Sequence, residues 1–252
     1  MPRSSRPRPD PRLTWAERRA YTRDVGDEES DLSGFSGVVP MFPLPNVVLF
    51  PRMFLPLHIF EPRYRAMTRS ALDGERYIAM ALLQPGWQKS TEGSPAVHPI
   101  LGLGKIVEDT SLKDGRFNLI LFGTARLRLL EERSREPFRT VRVEVLRERA
   151  ASGAGYDRKR RLLLAFYLQV LRQLAQGSVA APPDDVPLGL LCDLLASLIA
   201  FEPGVKQSLL EELDVAARCD LLLELLQRMK APGFGAARKG GKRPWPPGPS
   251  LN

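Results

Sequence analysis

The segment VPMFPLPNVVLFPRMFLPLHIFEPRY, Val39 to Tyr64, sets six prolines among mostly apolar residues. Proline fixes φ and removes a backbone donor, so this stretch cannot form an ordinary helix or a fully laddered central strand. It predicts an apolar ribbon of strand ends and turns, entered by a strand at Val38 to Phe42 and left by a helix. Pro62 suits the first turn of that helix, where a missing N–H costs nothing. Phe60, Tyr64, Met67 and Ala71 recur on one helical face, and Asp73-Gly74 is the expected stop.

Beyond the ribbon the pattern is short alternating runs as far as Leu146. RYIAMALLQ (76–84) is a strand, and a polar loop, PGWQKSTEGSPAVH (85–98), follows. In PILGLGKIVEDTSLKDGRFNLILFG (99–123), Asp114-Gly115 between two apolar runs marks a hairpin. TARLRLLEER (124–133) and FRTVRVEVLRE (138–148) read as two further strands, each alternating apolar residues with Arg or Glu and so having one wet face. About six strands and one helix in so few residues predict a small, strongly curved sheet or pseudo-barrel. From Arg158 the period becomes helical and Leu-rich. Helices are expected over 157–175, 187–201, 202–213 and 214–230, the last capped by Asp214. The Gly/Ala/Ser-rich connector ERAASGAGYD (148–157) separates the halves. The predicted organisation is therefore a disordered arm over 1–37, a β-rich subdomain over 38–149, a helical subdomain over 150–230 and a disordered basic Pro/Gly tail over 231–252.

The chain has 252 residues, 43% of them hydrophobic, which is ample for such a core. Its net charge of +8 invites a polyanion partner. Half of that excess lies in the last 22 residues, which carry four bases and no acid, whereas the N-terminal arm cancels its own seven arginines. Two cysteines in apolar helical contexts do not make a disulfide framework, and a reducing cytoplasm is the expected location. The N-terminus lacks the apolar core of a secretory signal. The longest apolar run, VPLGLLCDLLASLIAF, is too short to span a bilayer and is interrupted by Asp193, so no membrane association is expected.

Chemistry is sparse. GLGKIVE has a lysine after glycines but lacks the spacing, hydroxyl and helix of a phosphate loop, so its glycines are expected to serve close packing. His58, His98, Cys192 and Cys219 show no metal-ligand spacing. His58 is expected to bond a backbone group at the helix entrance, and Glu61 to serve as an ion-pair or backbone partner. Arg126 and Arg128, alternating with leucines, are expected on a solvated strand face, and the basic run DRKRRLLLAFY on a solvated helical turn. No catalytic, cofactor or metal site is predicted.

MFPLPNVVLFP (41–51), LPLHIFEPRYRAM (55–67), HPILGLGKIVE (98–108), DGRFNLILFGTARLRLLEE (114–132), PFRTVRVEVL (137–146) and KQSLLEELDVAARCDLLLELL (206–226) together resemble the N-terminal substrate-binding domain of the Lon protease family, in that family's order. The resemblance implies an α+β fold, a PUA-like β pseudo-barrel followed by a helical bundle. It also implies a stand-alone Lon-N protein without the ATPase and protease domains, more distantly similar to the matching domain of cereblon. A non-enzymatic module is then expected, one that binds exposed apolar segments of unfolded or partly folded polypeptides and is linked to proteolysis, with a Lon-type ATPase in trans as a further partner. Phe42, Leu44, Phe50, Met53, Phe54 and Leu55 on the proline ribbon are the candidate contact residues. An RNA-binding module is the alternative.

Overall fold

The computed structural model describes residues 32, 34–89, 95–134, 137–150, 155–174 and 186–230. Six strands form one mixed sheet: β1 (Val38–Leu44), β2 (Phe54–Ile59), β3 (Tyr77–Leu82), β4 (Ile100–Ser111), β5 (Phe117–Ser134) and β6 (Arg139–Leu146). Their order is β2-β5-β4-β3-β1-β6, and a further β5–β6 pairing closes the last five into a ring. Strand β5 makes the closure possible. Residues 117–122 pair with β2, and residues 126–134 pair with β6. From Phe117 to Arg128 its other edge follows β4, so it belongs first to an open sheet and then to a closed barrel. The two strands expected at 116–123 and 124–133 are thus one continuous element. Gly123 marks the handover, a strand-interior glycine of the kind that accompanies close backbone approach.

The prolines of β1 sit where half-ladders allow them. Val38 to Pro40 pair with β6 alone and Phe42 to Leu44 with β3 alone, Met41 meeting both, so Pro40 and Pro43 each lie in a stretch with one unpaired side. Helix α1 (Pro62–Asp73) starts on Pro62 and buries Tyr64, Met67 and Ala71 of the expected face, whereas Phe60 lies ahead of the helix and is exposed. The β4–β5 hairpin turns at residues 112–116, with Gly115 at φ +79.

The helical half consists of α2 (Tyr156–Leu174), α3 (Leu188–Leu198), α4 (Pro203–Glu211) and α5 (Val215–Lys230). Asp214 caps α5: its Oδ1 accepts the amides of Ala216 and Ala217 at 2.9 and 3.0 Å. Those amides and the Arg149 guanidinium hold its carboxyl below the ordinary value.

Three apolar cores result. One fills the barrel with Val39, Met41, Ala79, Leu103, Leu127 and Val141 among others, and Leu32 and Phe35 pack against it. The Phe35 ring meets Tyr77 edge-on at 5.3 Å, so the end of the expected arm touches the barrel. A second core lies between the sheet's other face, α1 and the proline ribbon, and the third lies within the bundle. Phe50 of the ribbon belongs to the bundle core, and Met53 packs on both of the latter cores. The remainder of the expected arm, residues 1–31 and 33, and the expected tail, 231–252, fall outside the described residues.

Candidate functional site

The ribbon crosses the sheet where the sheet has no side chains. A Cβ at Gly102 would overlap the carbonyl oxygen of Leu49, and one at Gly123 would overlap that of Phe50. At Gly104 an added Cβ would stand 2.9 Å from Leu49 Cδ2. Gly102 and Gly104, read in the sequence as packing residues, therefore join Gly123 in a seat for the ribbon across β4 and β5. Phe50-Pro51-Arg52-Met53 then makes a turn, with the Met53 amide donating to the Phe50 carbonyl at 3.3 Å. Proline at its second position and φ +62 at Arg52 define type II geometry. Arg52 donates to the Gly123 carbonyl at 2.6 Å and Gly123 to the Met53 carbonyl at 2.8 Å, a bulge that launches β2 along β5.

The six candidate contact residues divide on this path. Phe42 is 6% exposed and packs against the Tyr64 ring at 4.3 Å, and Phe50 is 1% exposed in the bundle core. Both are core residues, because the ribbon faces inward at those points. Leu44, Met53, Phe54 and Leu55 stay half-buried, and the Phe54 ring meets that of Phe122 in a tilted contact at 5.1 Å. Phe60, just beyond β2, is 56% exposed.

Between barrel and bundle lies a cluster that sequence reasoning missed. Arg126 is not on a solvated face: it is 2% exposed, because α3, α4 and α5 cover that side of β5. Its guanidinium holds Asp193 of α3 at 2.7 and 3.1 Å, Glu148 at 2.5 Å and the Leu210 carbonyl at 2.9 Å. Arg218 of α5, fully buried, completes the cluster with Asp193 at 2.8 Å and Glu148 at 2.7 Å. Burial pushes the Asp193 carboxyl above its ordinary value, and the two guanidiniums pull against that. Two arginines face two carboxylates, of which Asp193 is buried and Glu148 is 35% exposed at the rim of the cluster. The only sequence signal was Asp193 inside an apolar run, which served above merely to argue against a membrane span. Arg128, by contrast, is exposed and pairs with Glu144 at 3.0 Å, as expected of a wet face.

The described start of the connector is tied to the bundle. Arg149 donates to the Leu213 carbonyl and receives the Val215 amide, which stitches it to the start of α5. Beside it a cavity of about 410 Å³ opens between Pro51, Arg52, Glu148, Tyr156, Leu190 and Val215.

The other singled-out residues are structural. His58 Nδ1 lies 2.7 Å from Asn118 Oδ1 on β5, so its partner is a side chain and not the expected backbone group. His98 Nδ1 meets Glu211 Oε1 at 3.2 Å, tying the barrel to α4. Glu61 pairs with Arg63. Cys192 and Cys219 are fully buried neighbours between α3 and α5, and contact with Cys219 together with burial pushes the Cys192 thiol up. Among the described residues no group of three His, Cys, Asp or Glu could hold a metal, and no helix is long and apolar enough to cross a membrane.

A five-strand closed ring with an appended edge strand, carrying a four-helix bundle on one side, is an α+β pseudo-barrel protein of the kind expected from the resemblance. Residues 38–228 match the family described as the ATP-dependent protease La (LON) substrate-binding domain, and the chain belongs to that family. The Lon protease of Desulfosudis oleivorans is 29% identical over 188 residues, which are 71% of this chain and 22% of that protein. The Lon protease of Paraburkholderia phytofirmans is 30% identical over 189 residues, 73% of this chain and 23% of that protein. The chain thus spans about a quarter of the length of these relatives, confined to their substrate-binding domain. Its fold is that of the Lon N-terminal domain protein of Xanthomonas campestris (TM-score 0.55, 24% identity, 74% of this chain and 97% of that one). It is also that of the N-terminal domain of the Mycobacterium avium complex Lon protease (TM-score 0.58, 19% identity, 75% and 98%).

Proposed function

We propose that this protein is a non-enzymatic module that captures exposed apolar segments of non-native polypeptides and serves proteolysis, with a Lon-type ATPase in trans as the partner that would receive them. The observation that carries this reading is the match of residues 38–228 to a substrate-binding domain. The ribbon supports it. Leu44, Met53, Phe54 and Leu55 remain half-buried beside an exposed Phe60, although the ribbon between them is pressed into the sheet at Leu49 and Phe50. Burying ~400 Å² of apolar partner surface gains about 10 kcal/mol gross, most of it offset by lost freedom, so micromolar capture results. Weak, promiscuous binding is what selection of diverse non-native chains requires.

A polyanion reading finds no comparable support on the barrel. Arg76, Arg116, Arg128 and Arg142 are each held by an acid, Asp109, Asp114, Glu144 and Glu131 in turn. An RNA backbone would have to compete with those pairs.

Titrating a chemically denatured, reduced model protein against the chain tests the proposal. Half-saturation is expected in the range of about 1–50 µM, with the native form of the same protein unbound. Absence of binding at ~100 µM, with the circular dichroism of the chain intact, would sink it.

A further inference from the structure

The strands β5, β4, β3, β1 and β6 close on one another, so among the described residues β2 is the one strand with a single partner, and its other edge is open along its whole length. Hydrogen-bond parity along β2 follows from its first contact. The Met53 carbonyl accepts from Gly123, and Leu55, Leu57 and Ile59 stand opposite Leu121, Leu119 and Phe117. Antiparallel ladders alternate, so the odd residues turn their backbone groups to β5 and the even ones turn theirs outward. The open edge therefore presents two donors, the amides of Phe54 and His58, and three acceptors, the carbonyls of Phe54, Pro56 and His58. Pro56 falls on the outward parity, where its missing N–H breaks no internal ladder bond and blunts the edge.

We infer that this edge binds an extended polypeptide segment as an added strand. The inference rests on the proposed capture of non-native chains and names the conformation captured. A row of backbone donors and acceptors is complementary to another backbone in extended form, which a helix cannot offer because its own amides are spent. The flanks set the side-chain preference. On one face of β2 the half-buried Leu55 and Leu57 rim the ribbon core, whereas Pro56 and His58 on the other face are exposed. An added strand thus meets apolar surface on one side and water on the other. The selected segment alternates apolar and polar residues over about six positions, roughly the 20 Å length of β2. The missing donor at Pro56 keeps capture weak and reversible and disfavours edge-to-edge pairing of two copies.

The test uses the intact chain and a fluorescent decapeptide of alternating valine and threonine ended by glutamates. Two further peptides carry N-methyl groups on three valines or on three threonines. Strand addition requires that one methylated set lose at least about tenfold in affinity while the other changes less than about twofold, because only alternate amides face the edge. Sensitivity in the threonine set means antiparallel addition, and in the valine set parallel addition; either supports the inference. Pro56→Val, which restores a donor, is expected to tighten binding about fivefold, and His58→Pro to weaken it by a similar factor with the fold retained by circular dichroism. Equal sensitivity of both methylated peptides, with the parent peptide bound, overturns the edge as the site and leaves the capture reading standing. Failure to bind both the parent peptide and the denatured protein removes the capture reading and the inference together. Failure with the peptide alone, or a concentration-dependent dimer broken by His58→Pro and indifferent to peptide, overturns the edge inference alone.

Discussion

At the scale of single residues, Arg126 shows how context decides a side chain's role. In the sequence it alternates with leucines as Arg128 does, yet Arg128 meets solvent and Glu144, while Arg126 is enclosed with Asp193 and Arg218 and reaches Glu148 at the cluster's exposed rim. Nothing local distinguishes the two, because the helices that cover Arg126 lie far along the chain. Removing Arg126 leaves the buried Asp193 with one guanidinium partner in place of two, shared with Glu148, so the cluster keeps an uncompensated negative charge. Arg126→Met is therefore expected to cost about 3–5 kcal/mol, measured by urea unfolding, whereas Arg128→Met is expected to cost under about 1 kcal/mol. Phe42 and Phe50 teach the same lesson in reverse. Their apolar character was plain, but which way the ribbon turned them was set by the glycine seat below and by the bundle above.

At the scale of elements, the ribbon and β5 depend on each other. Prolines keep the ribbon from pairing on both sides, and glycines at 102, 104 and 123 let its backbone lie against the sheet. Gly123→Ala drives a methyl group into the Phe50 carbonyl, which belongs to the turn that starts β2. A loss of roughly 3 kcal/mol is expected, with β2 and its edge disturbed first, whereas Gly34→Ala, with nothing near it, is neutral. Thermal melts of both variants check this, and equal melting temperatures would refute the seat. The elements themselves were largely legible. The Asp-Gly hairpin, the helix opening at Pro62, the Asp214 cap and the four bundle helices follow from turn chemistry and period, which are local properties. The unity of β5 was not legible, since a strand that changes partners at a glycine looks in sequence like two strands with a turn between them.

At the scale of the whole molecule, barrel and bundle share residues across their boundary. Phe50 stands in the helical core, Gln207 of α4 donates to the Ile100 carbonyl at 2.9 Å, and the Arg126 cluster spans both halves. A seam of that kind couples their unfolding. One cooperative transition is expected, with Trp87 fluorescence from the barrel side, read in a Trp15→Phe/Trp245→Phe variant, and far-ultraviolet dichroism from the helices giving coincident curves. Two separated transitions would show the halves to be independent. The sequence by itself determined the family, the α+β class and the order of elements, because prolines, glycines and helical periods act through neighbours a few residues apart. Only the tertiary structure decided which apolar residues of the ribbon were withdrawn, which arginine was buried and which strand kept an open edge. Each of these depends on partners distant in the chain, as with Arg126 and Asp193, 67 residues apart. Desolvation by such partners leaves no mark on the local pattern of the chain.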